Sequence, residues 1–219
     1  MARLARVVIP GIPHHITQRG NRRQRVFFNS ADYDAYLELM AAWCRKSGVE
    51  IWAYCLMPNH VHLITMPSSK KGLAQAIGET HRRYTRMINF REKWRGYLWQ
   101  GRFASFPMDE QYLYVAARYI ELNPVRAGLV DRPEEYEWSS ARAHLKGKDD
   151  TLVTVKPLLE MIEDWSSFLS AGVNADDLEL FRKHERTGRP LGSKSFINKI
   201  ESLLGRILHR LKPGPKKEN

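Results

Sequence analysis

Residues 58–65 read Pro-Asn-His-Val-His-Leu-Ile-Thr, and this stretch predicts a β-strand that carries two histidines. Val, Leu, Ile and Thr favour a strand, and the Pro-Asn pair before them is typical of a turn. Side chains of a strand alternate between its faces, so His60 and His62 project from the same side. Two imidazoles on one face can bind one divalent metal ion. Two histidines that only form hydrogen bonds on a half-buried strand would give the same short motif.

The segments on either side of this strand alternate between strand and helix patterns. Helical spacing of apolar residues after Ser30, closed by Gly48, predicts the first helix. The order of the elements is that of a split βαβ, ferredoxin-like unit. We therefore predict an α+β fold, an antiparallel sheet that helices cover on one face and whose other face is free for a site. The predicted elements are a strand interrupted by a turn over 7–17, a helix over 31–46, a strand over 49–56, the histidine strand, a helix over 72–90, a strand over 97–106 and a helix over 109–122.

The character of the chain changes after Gly128, where it becomes less apolar and mostly helical. We place a boundary near residue 148, which predicts one domain over 1–147 and a helical, basic extension over 148–219. The end of the chain, with Pro and Gly between its lysines, is expected to be disordered. Short helices are expected over 139–147, 155–164, 176–186 and 195–211.

The formal net charge of +11 on 219 residues implies an acidic partner. Nucleic acid is the first candidate, and an anionic membrane is its competitor. No apolar run approaches the roughly 20 residues that span a bilayer, and the N-terminus lacks the apolar core of a signal peptide. Cys44 and Cys55 have no disulfide or metal spacing, which predicts buried thiols in a reducing cytoplasm.

A second candidate site lies at the end of the helix predicted over 109–122. Tyr119 and Asn123 are four residues apart and share a face, and Pro124 places Asn123 at the helix end, where its amide can turn outward. A tyrosine can attack a phosphate when a metal or a base activates it, because its ordinary pKa is about 10. Tyr119 also belongs to an apolar stripe with Tyr112, so the spacing alone is compatible with simple packing.

The combination of these motifs resembles the HUH single-tyrosine transposases, and most closely the branch associated with repetitive extragenic palindromes. The run His60-Val61-His62 is followed some sixty residues later by a run from Tyr119 to Val130. The resemblance is dense to about residue 145 and sparse in the tail. The supporting stretches are 14–21, 57–62, 98–103 and 187–192.

The resemblance implies a metal-dependent single-strand DNA endonuclease and strand transferase, with 1–147 as its catalytic domain. It further implies hairpin or palindromic DNA as substrate and a 5′-phosphotyrosine as intermediate. His60 and His62 match the metal-binding pair, and Tyr119 matches the nucleophile. Asn123 falls where relatives carry an amide ligand, often Gln, and its shorter side chain leaves direct or water-mediated ligation open. Such a ligand set suits Mg²⁺ or Mn²⁺.

Arginines interleaved with aromatic side chains predict the surface that contacts DNA. His15 joins them, because one of two adjacent histidines on the first strand could face the site. Each arginine could instead lie on a solvated helix face above an aromatic core. The predicted DNA-binding residues are His15, Arg19, Arg22, Arg23, Arg82, Arg83, Arg86, Arg102, Arg126, Lys216 and Lys217.

Two other functions compete with the transposase hypothesis. A replication initiator or relaxase is disfavoured by the single helix tyrosine and by the short chain without an ATPase. A non-catalytic nucleic-acid-binding regulator on the same fold is disfavoured by the intact His60, His62 and Tyr119. We expect single-stranded or hairpin DNA as the partner, no membrane association, and a cytoplasmic, nucleoid-associated protein that is a monomer or a homodimer.

Overall fold

The computed structural model describes residues 5–209, and their elements follow the predicted order. The strands are β1 (His14–Arg19), β2 (Val49–Met57), β3 (His60–Pro67) and β4 (Ala104–Pro107). The longer helices are α1 (Ser30–Ser47), α2 (Gly72–Arg91), α3 (Glu110–Glu121), α8 (Ala175–Thr187) and α9 (Lys194–Leu204). The shorter helices are α4 (Asn123–Arg126), α5 (Ala141–Lys146), α6 (Lys156–Leu159) and α7 (Trp165–Ser170), with 3₁₀ turns at Asn21–Arg23 and Pro133–Glu135.

The four strands form one antiparallel sheet in the order β2-β3-β1-β4. This is the strand order of the ferredoxin-like split βαβ unit, and it confirms the predicted α+β fold class. The central pair β1 and β3 sets the position of the site. Its register places Arg19 opposite His60 and Thr17 opposite His62.

The ends of α1 show how local sequence defines a helix here. Its N-cap is Asn29, one residue before the predicted Ser30, because the Asn29 side chain accepts the Asp32 N–H in a capping box. Gly48 closes the helix as predicted, with a left-handed φ of 60°. A Cβ there would lie 2.2 Å from Ser68 Oγ, so glycine is required at this position.

Two strands are shorter than the sequence predicts. The prediction of a strand over 97–106 is wrong for its first seven residues, since β4 spans only Ala104–Pro107. Gly101, with a φ of 68°, interrupts the extended backbone. The apolar Leu98 and Trp99 that suggested a strand are buried as the anchors of a loop. The first strand likewise begins only at His14.

The sheet is covered on both faces. The crossover helices α1 and α2 pack on one face, against residues such as Tyr54 and Leu63. The other face, expected to be free, packs against α3 and α8 through Ala53, Ile64 and Phe106. Residues 51–57 are all buried, and such a continuous apolar run is typical of a strand covered on both sides. The candidate site must therefore lie between layers.

Residues beyond 147 pack onto the same sheet. Val153 and Val155 join the cluster beneath α1 and α2, whereas Trp165 and Phe181 join the cluster beneath α3. The boundary at residue 147 stays a prediction. The tail expected to be disordered, with the predicted DNA contacts Lys216 and Lys217, lies outside the described residues.

The two cysteines and the helices bear on the expectations of buried thiols and of no membrane span. Cys44 and Cys55 are buried free thiols. Over residues 5–209, no helix combines the length and the apolarity needed to cross a membrane.

Candidate active and metal site

Helix α3 brings Tyr119 onto the histidine strand. Asp109 caps the helix by accepting the Tyr112 N–H, and Ala116 and Ala117 are small enough for close packing on the sheet. The Tyr119 ring meets the His62 ring edge to face, with 5.3 Å between centroids. The structure thus brings together the predicted nucleophile and one predicted metal ligand. Tyr114 instead donates its hydroxyl to Glu110 Oε1 at 2.7 Å.

Tyr119 is covered, with only 6% of its surface exposed. Phe181 of α8 stacks on its ring at 5.6 Å, and the Arg126 guanidinium lies 4.4 Å from the ring centroid. Burial raises the pKa of Tyr119, and the nearby Glu185 carboxylate raises it further, while Arg126 lowers it in part. The phenol is therefore neutral near pH 7, and attack on a phosphate requires activation.

His62 is paired with His15 of the neighbouring strand β1. His15 Nε2 and His62 Nδ1 are 3.1 Å apart, and the two rings stack with 5.3 Å between centroids. Burial lowers the pKa of His15 to about 3 and that of His62 well below its ordinary value. Both imidazoles are therefore neutral at physiological pH, which is the form that binds metal ions.

His15 is the one of the two adjacent histidines that faces the site. Its side chain is fully buried between His62, Phe106 and Phe181, so it has no surface to present to DNA in this structure. This placement puts His15 inside the site, next to the predicted metal ligand. The role of His15 as a DNA contact stays a prediction.

His60 lies beside His62, with 4.9 Å between ring centroids, as expected for residues on one strand face. Its Nδ1 is 2.6 Å from Asn59 Oδ1. Donation from Nδ1 to that amide oxygen leaves Nε2 with a free lone pair, a common arrangement around metal-binding histidines. Burial, together with Arg19 and Arg126, lowers the pKa of His60 to about 4.

Asn123 is the first residue of α4, directly after Leu122, which separates α4 from α3 and marks the helix boundary that Pro124 predicts. Its side chain is buried and not turned to solvent. Asn123 Oδ1 accepts a long hydrogen bond of 3.5 Å from Arg126, and Nδ2 is buried without a partner among the described residues.

The tightest group of possible metal ligands contains a residue that sequence reasoning missed. Suitable ligand atoms of His15, His62 and Glu185 all lie within 4.8 Å of one another. Glu185 reaches the site from α8, and burial raises its pKa to about 7 although Arg19 and Arg182 oppose this. One feature of the sequence could have pointed to Glu185. It is the only carboxylate in residues 182–189, a stretch whose other charged residues are basic.

Three predicted DNA-binding arginines lie around the site. Arg19 and Arg102 line a groove together with Glu185, and the exposed Arg126 lies at the ring of Tyr119. The groove provides cationic side chains beside Glu185, and Arg126 provides one beside the candidate nucleophile.

The other predicted arginines lie away from Tyr119. Arg82, Arg83 and Arg86 are exposed on α2, which covers the opposite face of the sheet. Arg82 pairs with Glu79 at 2.6 Å.

Arg22 and Arg23 lie in the loop after β1 and are exposed. Arg22 borders a groove shared with Trp94 and Tyr97, and 84% of Tyr97 is exposed. The predicted surface therefore consists of separate patches on two faces of the molecule.

Comparisons with known proteins agree with this architecture. The sequence profile of the family described as "Transposase IS200 like" matches residues 9–123, more than half of the chain. The matched range contains His60, His62, Tyr119 and Asn123. No curated protein matches the chain.

Two solved structures are similar. One is a REP-associated tyrosine transposase bound to a REP hairpin, with 22% identity and a TM-score of 0.57, covering 70% of this chain and 92% of its own. The second is a candidate transposase from Deinococcus radiodurans R1, with 19% identity and a TM-score of 0.39, covering 55% of this chain and 96% of its own. The first likeness supports the fold, and the profile match shows that the chain belongs to the IS200-like transposase family.

Proposed function

We propose that this transposase is a metal-dependent single-strand DNA endonuclease and strand transferase that works through a 5′-phosphotyrosine. The observation that carries the proposal is the contact between the Tyr119 ring and His62, at 5.3 Å. It brings the candidate nucleophile into contact with a neutral imidazole between the sheet and α3.

The residues present fit a divalent cation. His62 Nε2 and His15 Nδ1 are buried without hydrogen-bond partners among the described residues, and a bound cation would satisfy such atoms. His60, His62 and Asn123 would hold it, by their match to the family motif, and Mg²⁺ or Mn²⁺ suits imidazole and oxygen ligands. When bound, the cation supplies Lewis acidity toward a nonbridging phosphate oxygen.

The covalent step uses Tyr119 Oη. As the oxygen forms its bond to phosphorus, the bond from phosphorus to the 3′ oxygen breaks; the phenol loses its proton and the 3′ oxygen gains one. The products are a 5′-phosphotyrosine and a free 3′-hydroxyl. A second 3′-hydroxyl can then displace Tyr119 and rejoin the strand, since the covalent bond retains the phosphodiester energy. Arg126 supports the step because its charge lowers the pKa of the Tyr119 phenol.

The DNA partner is a hairpin or a single strand. The similar solved structure is bound to a REP hairpin, and the net charge of +11 suits such a ligand. In the proposed complex Arg19, Arg102 and Arg126 would neutralise DNA phosphates, and the exposed Trp94 and Tyr97 would stack on bases. A protein of this kind acts in the cytoplasm, at the nucleoid.

Covalent capture tests the proposal. Wild type, Tyr119→Phe, Tyr112→Phe and Tyr114→Phe are incubated with Mn²⁺ and a labelled palindromic strand and resolved on a denaturing gel. We expect a protein–DNA adduct in every sample except Tyr119→Phe, which loses one oxygen and little packing volume. An adduct that persists in Tyr119→Phe would contradict the assignment of the nucleophile.

A non-catalytic DNA-binding regulator is the second candidate function. The observation that favours it is the cover over Tyr119, which leaves 6% of the residue exposed beneath Phe181. The same gel separates the two functions, because a regulator binds the hairpin and yields no adduct with wild type.

A further inference from the structure

Glu185 of α8 has a buried carboxylate oxygen without a hydrogen-bond partner among the described residues. Its side chain is only 16% exposed, and this oxygen is Oε1. Oε1 lies 3.7 Å from His62 Nδ1 and 4.0 Å from His15 Nδ1. Both distances exceed the length of a hydrogen bond, so no shared proton satisfies the carboxylate.

The distances fit a shared metal ion better than a hydrogen bond. Ligand nitrogens and oxygens lie about 2.0 to 2.2 Å from a small divalent cation, so two ligands of one ion lie up to about 4.4 Å apart. Both separations from Glu185 fall inside that limit. His15 Nδ1 is also buried without a hydrogen-bond partner among the described residues, so two unsatisfied ligand atoms, His15 Nδ1 and Glu185 Oε1, lie 4.0 Å apart. His62 Nδ1, which lies 3.7 Å from Glu185 Oε1, shares a hydrogen bond with His15 Nε2.

We propose that Glu185, with His15, is an additional ligand of the divalent cation at His62, beside the family-motif residues His60 and Asn123. The inference rests on the proposed function for the existence of the cation, and adds a ligand from outside the segment that matches the family profile, residues 9–123. Its chemical role is to add a negatively charged oxygen donor to a histidine pair. Oxygen donors shift preference toward Mg²⁺ and Mn²⁺.

This ligation would attach the C-terminal extension to the central sheet. Phe181 lies one helical turn before Glu185, and stacks on Tyr119 with 22° between the ring planes. Bound cation would then hold the α8 residues 175–187 against β1 and β3. Metal binding should consequently slow amide exchange in α8, a change that can be measured without DNA or catalysis.

Calorimetric titration of Mn²⁺ into the metal-stripped full chain tests the proposal. Glu185→Gln should weaken binding at least about tenfold, since loss of even an outer partner of a metal ligand costs about 10- to 100-fold. Glu179→Gln is the matched control, because Glu179 is exposed on the same helix and should leave the affinity unchanged. His62→Ala should abolish binding.

Amide exchange of α8 provides the second measurement. Mn²⁺ should slow exchange in wild type and in Glu179→Gln, and should have no effect on α8 of Glu185→Gln. Glu185→Asp keeps the carboxylate, so tighter Mn²⁺ binding by Glu185→Asp than by Glu185→Gln separates a lost ligand from a folding defect. Equal affinity of all three Glu185 forms, with binding lost in His62→Ala, would overturn the role of Glu185 and leave the proposed function standing. Absence of Mn²⁺ binding by wild type would overturn both.

Discussion

Glu121, two residues after the candidate nucleophile, is a fully buried carboxylate that joins three elements. Its Oε1 accepts hydrogen bonds from Ser140 Oγ at 2.5 Å and from His144 Nδ1 at 2.6 Å. Its Oε2 accepts the Trp165 indole N–H at 2.8 Å. These bonds connect α3 to α5 and α7, so they fix the helix that carries Tyr119.

We expect Glu121→Gln to lower the free energy of unfolding by about 3 kcal/mol, because a buried amide cannot accept from all three donors. Urea denaturation at pH 7 measures the change. Glu137→Gln, at an exposed position nearby, should remain within about 0.5 kcal/mol of wild type. Equal midpoints for the two variants would show that the network does not stabilise the fold.

At the scale of the elements, Asp32 connects the start of α1 with the end of α2. Its carboxylate accepts the backbone N–H groups of Phe28 and Asn29, and pairs with the Arg91 guanidinium. Burial alone would raise the pKa of Asp32, but Arg91 and the two backbone donors outweigh burial and hold it below its ordinary value. A lowered pKa in the folded state stabilises the protein above the ordinary pKa of about 4, and this stabilisation disappears as the pH falls through the folded-state pKa.

Asp32→Asn should therefore reduce stability by about 2 kcal/mol at pH 7, and by less at pH 3.5. Urea midpoints at several pH values measure both differences. Asp34→Asn, at an exposed position of the same helix, is the control and should have the wild-type urea midpoint at every pH. If Asp32→Asn were less stable than wild type by the same amount at pH 7 and at pH 3.5, the negative charge of Asp32 would not be the source of the stabilisation.

Elements with clear local signals were predictable from the sequence. Helix α2 was predicted over 72–90 and spans Gly72–Arg91, because apolar spacing decides its face and length. The prediction of a strand from residue 97 was wrong, since the same apolar residues can anchor a loop. Tyr119 and His62 were predicted as site residues on local spacing and family likeness, whereas Glu185 was not. Its contact with His62 depends on how α8 packs, which no local pattern specifies.

At the scale of the whole molecule, the predicted arginines lie on both faces of the sheet. Arg102 borders the groove that Glu185 also lines, and Arg86 is exposed on α2, on the opposite side. If one hairpin contacts both faces, each arginine neutralises a phosphate and releases counterions on binding.

Hairpin affinity should fall steeply between about 50 and 200 mM salt, and Arg86→Gln and Arg102→Gln should each reduce the slope of log K against log salt by about 1. Fluorescence anisotropy with a labelled hairpin measures this slope. Lys156→Gln, at an exposed lysine that pairs with Glu160, is the control and should keep the wild-type slope. Slopes that stay unchanged in both arginine variants would place the DNA elsewhere on the surface.

The aromatic cover over Tyr119 has a consequence for the timing of the reaction. In the proposed reaction a phosphodiester must reach Tyr119, which has only 6% of its surface exposed and lies beneath Phe181, so we expect the Phe181 side chain to move away from the ring before cleavage. If the movement extends to an opening of α8, it takes microseconds to seconds. Saturation with DNA would not shorten this step unless the DNA itself displaces Phe181, so exposure of Tyr119 would set an upper limit on the rate of the first turnover.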